Sequence, residues 1–406
     1  MRRISKLLVT IGVFFLVIAG AWRFVAPGQL VKYPDDLDKT VYATGTLTLY
    51  ADPATAAPQP SPTPFPLDIK RRVHVVESST SKVVVQEDDV EKIGPLPEQN
   101  FLQRYVIDRS SLKNLAEERA YAYTAQNKID RSPNYSINLP FDAGDGPYSI
   151  WKNEVGAPYP FRQDGPSVER AGLTLRPMHG RLEKAPVQGY YIDQLRSQGI
   201  PRQLTLQQLS PQLKAQGLDP QQFATQVLPQ LSAADQAEIV SVISQPISLN
   251  YLLDVDTRLL VEPRTGAIVS LDRINQTIYA QPDLAGIGRI QTILAKPEYA
   301  GNTTVTGAEA TLARLVRTPP TTRIFNIDYS QTSPSVADLA SYATDLGDQI
   351  NLIKKVVPLF LIIFGGGLAA IGVALSVLRR SDGRGRNTTT SEGVGEAGAT
   401  VPTRTD

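Results

Sequence analysis

Residues 356–378 read VVPLFLIIFGGGLAAIGVALSVL, a run of 23 residues without a charged side chain. At about 1.5 Å per residue, a helix of this length crosses a hydrocarbon core of roughly 30 Å. Lys354 and Lys355 precede the run, and several arginines follow it from Arg379 onward. We therefore predict a transmembrane helix over residues 356–378.

A second apolar run, LLVTIGVFFLVIAGAWRFVA, occupies residues 7–26 and is interrupted only by Thr10 and Arg23. It predicts a first transmembrane helix. The alternative is a cleaved signal peptide, because basic residues precede the run and Ala19-Gly20-Ala21 has the form of a cleavage site. The apolar run continues past that site through Phe24 and Val25, which favours an uncleaved anchor.

The basic residues around the two runs predict their orientation. Arg2, Arg3 and Lys6 precede the first run, and the arginines after residue 378 follow the second. Because cytoplasmic flanks are enriched in Lys and Arg, both termini are expected in the cytoplasm, as residues 1–6 and 379–406. The sequence thus predicts a two-pass protein of the cell membrane, with residues 27–353 outside and a disordered tail over residues 379–406.

Small residues recur every four positions in the second predicted span. Gly366, Ala370 and Ala374 form one such series, and Gly365 and Ala369 form another. Such spacing lets a neighbouring helix approach closely. We predict that Gly366, Ala370 and Ala374 pack against the first span or against a second copy of the chain.

Between the spans, the pattern is mainly that of antiparallel β structure. Residues 70–90 contain two Val-rich runs joined by SSTS, and residues 250–280 contain two more joined by a proline and glycine turn. Short aromatic segments separated by Pro and Gly fill residues 134–191, and QGYYID within them is interpreted as a strand. The predicted fold class is an α+β membrane protein: two terminal transmembrane helices flank a β-rich antiparallel domain, barrel-like or sandwich-like, with an inserted helical subdomain.

Three segments depart from the β pattern. Residues 52–66 contain six prolines and predict an extended loop. Residues 204–245 are rich in Gln, Leu and Ala and predict the helical insertion, with Asp219 and Ser232 as N-caps. Residues 335–355 have apolar positions at helical spacing and predict a membrane-proximal helix, and a further short helix is predicted from Gly307, with Thr306 as its N-cap.

Composition excludes several function classes. The chain has 406 residues with 41 Lys plus Arg against 40 Asp plus Glu, so its formal charge of +1 argues against a nucleic-acid partner. It has no cysteine and two histidines, His74 and His179, so thiol catalysis and Cys-rich metal sites are excluded. Motifs for a serine nucleophile, a phosphate-binding loop, a dinucleotide site or a zinc protease are absent from the sequence. We predict a protein without enzymatic activity, catalytic residues, metal or cofactor.

Three pairs of carboxylates remain as an alternative enzyme site of the glycosidase type. They are Asp35 with Asp36, Asp88 with Asp89, and Asp254 with Asp256. Sequence spacing does not give the distance between the carboxyl groups, on which that chemistry depends.

The order of these segments resembles the bacterial, actinobacterial-type family of unknown function labelled PorA-like porin. The resemblance rests on YPDDLDKTVYATGTLTLY, the hairpin KRRVHVVESSTSKVVVQ, NYSINLPF, VEPRTGAIV and an arginine-flanked second span. It implies a membrane protein of the bacterial envelope. A weaker architectural likeness is to the class B scavenger receptors, which have two terminal spans around a β-rich domain.

Two functions follow as hypotheses. The first is a non-enzymatic, membrane-anchored envelope protein that binds a lipid, an envelope polymer or a protein partner through its extracytoplasmic domain. The second is porin-like or scavenger-receptor-like conduction or transfer of hydrophobic or small solutes. The lipid bilayer itself is an expected partner in both.

Overall fold

The computed structural model of the chain describes residues 2–94, 98–197 and 199–384. These residues form two compact units. One contains the described residues up to Val31 and those from Asn351 onward, and the other is Lys32–Ile350. Of the tail predicted to be disordered, residues 379–384 are helical and residues 385–406 lie outside the described part of the chain.

The first unit is a pair of long helices, α1 (Arg2–Leu30) and α9 (Val357–Arg384). Both are long and apolar enough to cross a membrane by length and composition. They run antiparallel, because Ser5 contacts Ser376 near one end and Trp22 Nε1 donates to the Ile353 carbonyl at 3.0 Å near the other. A five-residue π-helical segment, Leu352–Val356, precedes α9.

Glycines bring the two helices together. A Cβ on Gly12 would lie 2.6 Å from the backbone nitrogen of Ala369, and one on Gly365 would lie 2.9 Å from the Gly12 carbonyl oxygen. A Cβ on Gly372 would lie 2.7 Å from Val9 Cγ2. Because these glycines have no side chain, the backbones of α1 and α9 can come into contact along one face of α9.

Of the two small-residue series in α9, the one that starts at Gly365 meets α1. A Cβ on Gly366 would meet nothing within 4 Å, and Ala370 and Ala374 are exposed. Neighbouring residues of an α-helix are rotated by about 100°, so the series that starts at Gly365 faces α1 and the series that starts at Gly366 faces elsewhere. Gly366, Ala370 and Ala374 thus do not contact α1, and their packing against a second copy stays a prediction.

The second unit is built on one antiparallel sheet that curls into a half-barrel. Its principal order is β5-β4-β3-β2-β1-β13-β12-β11-β9-β7-β6, with β10 beside β11 and β8 beside β9. The strands are β1 (Asp38–Ala51), β2 (Pro58–Ser78), β3 (Lys82–Ile93), β4 (Gln99–Asp108), β5 (Tyr121–Ala122), β6 (Tyr148–Lys152), β7 (Ala157–Gln163), β8 (Val168–Arg170), β9 (Leu173–Pro186), β10 (Gln203–Leu204), β11 (Ile247–Val261), β12 (Ile268–Pro282) and β13 (Thr322–Gln331). The two predicted hairpins are present as β2–β3 and β11–β12.

The proline-rich segment is a strand over most of its length, contrary to the prediction of a loop over residues 52–66. Residues from Pro58 onward belong to β2, and Thr63–Pro66 pair with β1. The Pro66 carbonyl accepts from the Gly94 N–H at 2.9 Å, so the nitrogen of Pro66 faces the side away from β1. Since strand residues alternate between two sides, Pro64 also turns its hydrogen-free nitrogen away from β1, and proline is compatible with such an edge.

Helices cover one part of the sheet. They are α2 (Gly189–Ser197), α3 (Leu206–Ala215), α4 (Pro220–Gln222), α5 (Ala233–Ile243), α6 (Ile287–Leu294) and α7 (Thr303–Arg317). The predicted helical insertion over residues 204–245 corresponds to α3–α5, and α6 and α7 from a later part of the chain pack with it. Leu209 and Leu213 of α3 face Leu249 and Ala280 of the sheet.

Some of the helix N-termini lie where the capping residues in the sequence predict them. The predicted N-caps are present, because Asp219 accepts from the Gln221 N–H and Ser232 from the Asp235 N–H. The α7 helix begins at Thr303 and is capped by Asn302, four residues before the predicted Thr306. The segment QGYYID, predicted as a strand, opens α2.

The helix α8 (Ser333–Asn351) corresponds to the predicted membrane-proximal helix over residues 335–355. Its residues Val336, Ala340 and Ala343 are buried in one apolar cluster with Leu260 and Val269 of the hairpin β11–β12. Most of α8 is therefore an integral part of the second unit.

Candidate functional site

The concave face of the curled sheet encloses a row of cavities. Alternate residues of each strand point inward, as the twofold period of a strand requires. The inward set includes Glu87, Asp89 and Glu91 of β3, Phe101, Gln103 and Tyr105 of β4, Thr257 and Leu259 of β11, Ile274 and Gln276 of β12, and Ile327 and Tyr329 of β13. The interior therefore contains both polar and apolar side chains, unlike a uniform hydrophobic core.

Three cavities lie in series along this interior, with volumes of about 520, 180 and 140 Å³. The largest and the middle one share Glu91, Phe101, Tyr191 and Ile327 as wall residues. The middle and the smallest cavity also share wall residues, which include Arg71 and Glu87. A volume near 520 Å³ is in the range of small-molecule sites, which is about 300–1,000 Å³.

The 520 Å³ cavity, here called the large chamber, has mainly apolar walls. The sheet contributes Leu47, Leu49, Phe65, Ile93 and Phe325, and the α2 region contributes Leu195 and Ile200. The charged residues among its described lining are Glu91 and Glu98. The chamber thus offers apolar surface together with carboxylates.

Charged side chains cross the 180 Å³ middle cavity. Arg71 donates from Nε to Asp89 Oδ1 at 2.8 Å and from Nη2 to Asp89 Oδ2 at 2.6 Å. Its Nε also lies 3.3 Å from Glu87 Oε1, and both acids are buried. Burial raises the pKa of Glu87 to about 7, against the opposing effect of the Arg71 charge. Because Arg71 and Glu87 also line the smallest cavity, this ion pair separates the middle cavity from the smallest one.

Glu91 lies at the junction between the middle cavity and the large chamber. In the described part of the chain its carboxylate makes neither a hydrogen bond nor an ion pair. Removal from bulk water, reinforced by the nearby Asp89 charge, raises the pKa of Glu91 to about 7. The side chain is half-buried because the cavities themselves expose it. A carboxylate in this setting is available to a ligand.

Aromatic rings surround the same junction. Phe101 lies 5.8 Å from Tyr123 between ring centroids, and Tyr123 lies 5.5 Å from Tyr191. Tyr123 has φ of 64°, a left-handed conformation that costs an L-residue roughly 1–2 kcal/mol. Packing against its neighbours holds the Tyr123 ring in the cluster despite this cost.

A buried arginine ties the two edges of the half-barrel together. Arg131 donates to Asn153 Oδ1 at 2.8 Å, to the Arg104 carbonyl at 3.1 Å and to the Tyr121 carbonyl at 3.0 Å. Arg104 and Tyr121 belong to β4 and β5, at one edge, whereas Asn153 follows β6, at the other. Burial lowers the pKa of Arg131, and each of its three guanidinium nitrogens donates to one of these acceptors.

The carboxylate pairs considered from the sequence are placed apart from this interior, with one exception. Asp88 and Asp89 are neighbours on β3 and therefore face opposite sides, so Asp89 alone joins the cavity. Asp254 accepts from the Lys184 N–H at 2.5 Å, and Asp256 lies 3.3 Å from His179 Nε2. Asp35 lies 3.3 Å from Arg109.

The histidines do not meet each other or a nucleophile motif. His74 Nδ1 lies 3.5 Å from Asp88 Oδ2, and its side chain is 15% exposed. His179 lies beside Asp164 and Asp256. Among the described residues, no group of three or more His, Asp or Glu side chains is arranged to hold a metal ion.

The charged side chains of the interior were not predicted from the sequence. Glu87, Asp89 and Glu91 occupy every second position of β3, and Arg71 pairs with Asp89 in the register of the β2–β3 ladder. Acidic residues at every second position of one strand, opposite an arginine on the next, indicate a charged face of the hairpin. This pattern did not say which face of the hairpin would be enclosed, because that depends on how the sheet curls.

No curated protein matches the chain. A family model described as Porin PorA matches residues 4–374, which extend from α1 through the whole sheet into α9. This match confirms the resemblance noted in the sequence, and the two long apolar helices are consistent with a membrane protein of porin type. The chain therefore belongs to the PorA porin family.

Proposed function

We propose that the protein is a non-enzymatic, membrane-anchored carrier whose sheet domain binds an amphiphilic, lipid-like molecule inside the half-barrel. The observation that carries the proposal is the large chamber, with its apolar walls and its opening into a polar middle cavity. Apolar surface accommodates a hydrocarbon chain, and the polar groups beyond it accommodate a headgroup.

The outer face of the sheet supports a position in water. It carries exposed ion pairs between Arg72 and Asp38, between Arg170 and Asp272, and between Arg273 and Asp328. A barrel that crosses a membrane with its strands needs an apolar outer band about 25 Å tall. Charges at these positions would be costly in lipid, so membrane attachment is assigned to α1 and α9.

The antiparallel pairing of α1 with α9 supports a two-pass topology with both chain ends on one side. The basic residues before residue 7 and after residue 378 favour the cytoplasm for that side. The sheet domain is then extracytoplasmic, in the cell envelope. Its ligand would be an envelope lipid or an amphiphilic polymer precursor.

Lipid transfer tests the carrier function. The full-length protein is reconstituted into donor vesicles that contain a fluorescent lipid, and arrival of that lipid in acceptor vesicles is followed over time. A carrier increases the transfer rate above that of protein-free vesicles. An unchanged rate for a panel of envelope lipids would contradict the proposal.

Conduction of small solutes is the second candidate, favoured by membership of a porin family and by the polar middle cavity. Its test is the current through planar bilayers that contain the full-length protein. The Arg71–Asp89 pair crosses the interior, so the carrier proposal expects no stable conductance steps. Discrete steps that change with substitution of Arg71 would favour the pore.

A further inference from the structure

The junction between the large chamber and the middle cavity has an unusual combination of walls. Glu91, Phe101, Tyr191 and Ile327 line both cavities, and Tyr123 adds a third aromatic ring on the side of the middle cavity. Any molecule that extends from one cavity into the other passes these residues. Its polar group therefore meets a carboxylate and aromatic rings at the same place.

Among the described residues, no lysine or arginine forms an ion pair with the carboxylate of Glu91. In the middle cavity, Arg71 is engaged by Asp89 and Glu87, and Lys152 Nζ lies 2.8 Å from Glu154 Oε1. The described lining of the large chamber adds Glu98 and contributes neither lysine nor arginine. Negative charge is thus in excess at the junction, and an anionic headgroup would meet uncompensated carboxylates.

Aromatic rings strengthen this preference. The face of a Phe or Tyr ring attracts a cation, by about 0.5–1 kcal/mol at exposed sites and about 2 kcal/mol or more where water is excluded. Phe101, Tyr123 and Tyr191 form one connected cluster beside Glu91. A carboxylate with aromatic walls is the arrangement that suits an organic ammonium group.

We infer that the headgroup bound at this junction is an organic cation, held by Glu91 and the Phe101–Tyr123–Tyr191 cluster, with its hydrocarbon chain in the large chamber. This inference rests on the proposed carrier function and specifies the ligand class. A zwitterionic headgroup fits as well, provided that its ammonium group reaches Glu91.

Binding of a cation at Glu91 is linked to proton release. Without ligand, burial holds the pKa of Glu91 at about 7, and an adjacent positive charge would lower it. Affinity for a cation should therefore rise as pH increases through about 7. The other titratable or charged groups that line the cavities around Glu91, from its own strand and from the neighbouring elements, are Glu87, Asp89, Arg71, Glu98, Tyr123, Lys152, Glu154, Tyr191 and Tyr329.

Matched amphiphiles test the inference. The full-length protein with Trp22→Phe, in lipid nanodiscs, keeps Trp151 in the wall of the middle cavity as its sole tryptophan. Its fluorescence is titrated with dodecyltrimethylammonium, dodecyl sulfate and dodecyl maltoside, which share one chain and differ in headgroup charge. We expect the cation to bind about tenfold more tightly than the other two, or better.

Variants separate the inference from the carrier function. In Glu91→Gln the preference for the cation should disappear while the neutral amphiphile still binds, and in Glu183→Gln, which removes an exposed carboxylate on β9, the preference should persist. Equal affinities for the three headgroups, or an unchanged preference in Glu91→Gln, would overturn the inference and leave the carrier function intact. Failure of all three amphiphiles to bind would overturn both.

Discussion

Arg71 and Asp89 form a two-pronged ion pair inside the half-barrel, with N–O distances of 2.8 and 2.6 Å. The next residue, Arg72, forms a pair of the same shape with Asp38 on the outer face, with distances of 2.9 and 2.6 Å. The Asp89 side chain is 5% exposed, whereas the Asp38 side chain is 52% exposed. The two arginines thus give a matched comparison of one interaction in two environments.

The Arg71→Met substitution should lower the free energy of unfolding by about 3–5 kcal/mol, because it leaves Asp89 and Glu87 buried without a counter-charge. Arg72→Met should lower it far less, since water screens the exposed pair. Thermal unfolding of the detergent-solubilised protein measures both. Equal losses for the two variants would show that the interior pair is not isolated from solvent.

The stability of the domain should fall as pH rises from about 4.5 to about 7. Burial raises the pKa of Glu87 and Glu91 to about 7 from an ordinary value of 4.5, so the folded protein retains protons that the unfolded chain has released. The free energy of unfolding decreases as pH rises wherever the folded state binds more protons than the unfolded state. Above about pH 7 both states have lost them, and this contribution levels off.

Glu91→Gln isolates that effect. The variant should gain stability relative to the unsubstituted protein as pH rises through this window, by at most about 3 kcal/mol for one carboxyl group. Melting temperatures at several pH values between 4 and 9 measure the difference. Glu183→Gln controls for the loss of one negative charge, and a pH-independent difference for Glu91→Gln would contradict the buried position of this carboxylate.

The prolines of β2 should limit pairing at its outer edge. Pairing with β3 ends at Leu67, and Pro64 beyond it presents no N–H to that side. Pro62→Thr with Pro64→Thr introduces donors, and an edge with free donors and acceptors recruits further strands. We expect larger species in size-exclusion chromatography with light scattering.

The matched control for this edge is Ser61→Val with Thr63→Val. It raises β-propensity at adjacent positions without adding a backbone donor. Association in the control and not in the proline variant would assign the effect to hydrophobicity.

Helix pairing in the first unit should depend on Gly365 and not on Gly366. Leucine at position 365 would collide with the Gly12 carbonyl and with Phe15, whereas position 366 is open. The native chain lacks cysteine, so Ser5→Cys with Ser376→Cys gives a single disulfide as readout of contact. Adding Gly365→Leu should reduce cross-linking strongly and adding Gly366→Leu should not, and the reverse order would place the contact on the other face.

Much of the architecture was predictable because it follows from local patterns. Uncharged runs indicated α1 and α9, alternating residues indicated the hairpins, and Asp219 and Ser232 marked helix starts. The proline-rich strand was missed because proline argues against a strand in general but is tolerated at an edge. QGYYID was missed because aromatic residues favour strands only weakly, and tertiary context decided for a helix.

The candidate site was not predictable from local patterns. Glu91, Phe101 and Tyr191 come from β3, β4 and α2, and the curl of the sheet brings them to one junction. Acids in QEDDVE are ordinarily solvated, and a single strand does not reveal which of them faces an enclosed cavity. The sequence shows small residues at a spacing of four in the second span. One series begins at Gly365 and another at Gly366, and the spacing alone does not indicate which of them contacts α1.

Native mass spectrometry of the full-length protein, extracted gently from its own membrane, tests the carrier function most directly. We expect a discrete amphiphile at fixed stoichiometry. Its occupancy should fall when Leu49→Trp fills the large chamber and should persist when Val240→Trp adds the same ring to an exposed site on α5. A ligand-free protein, or equal occupancy in the two variants, would contradict the carrier function.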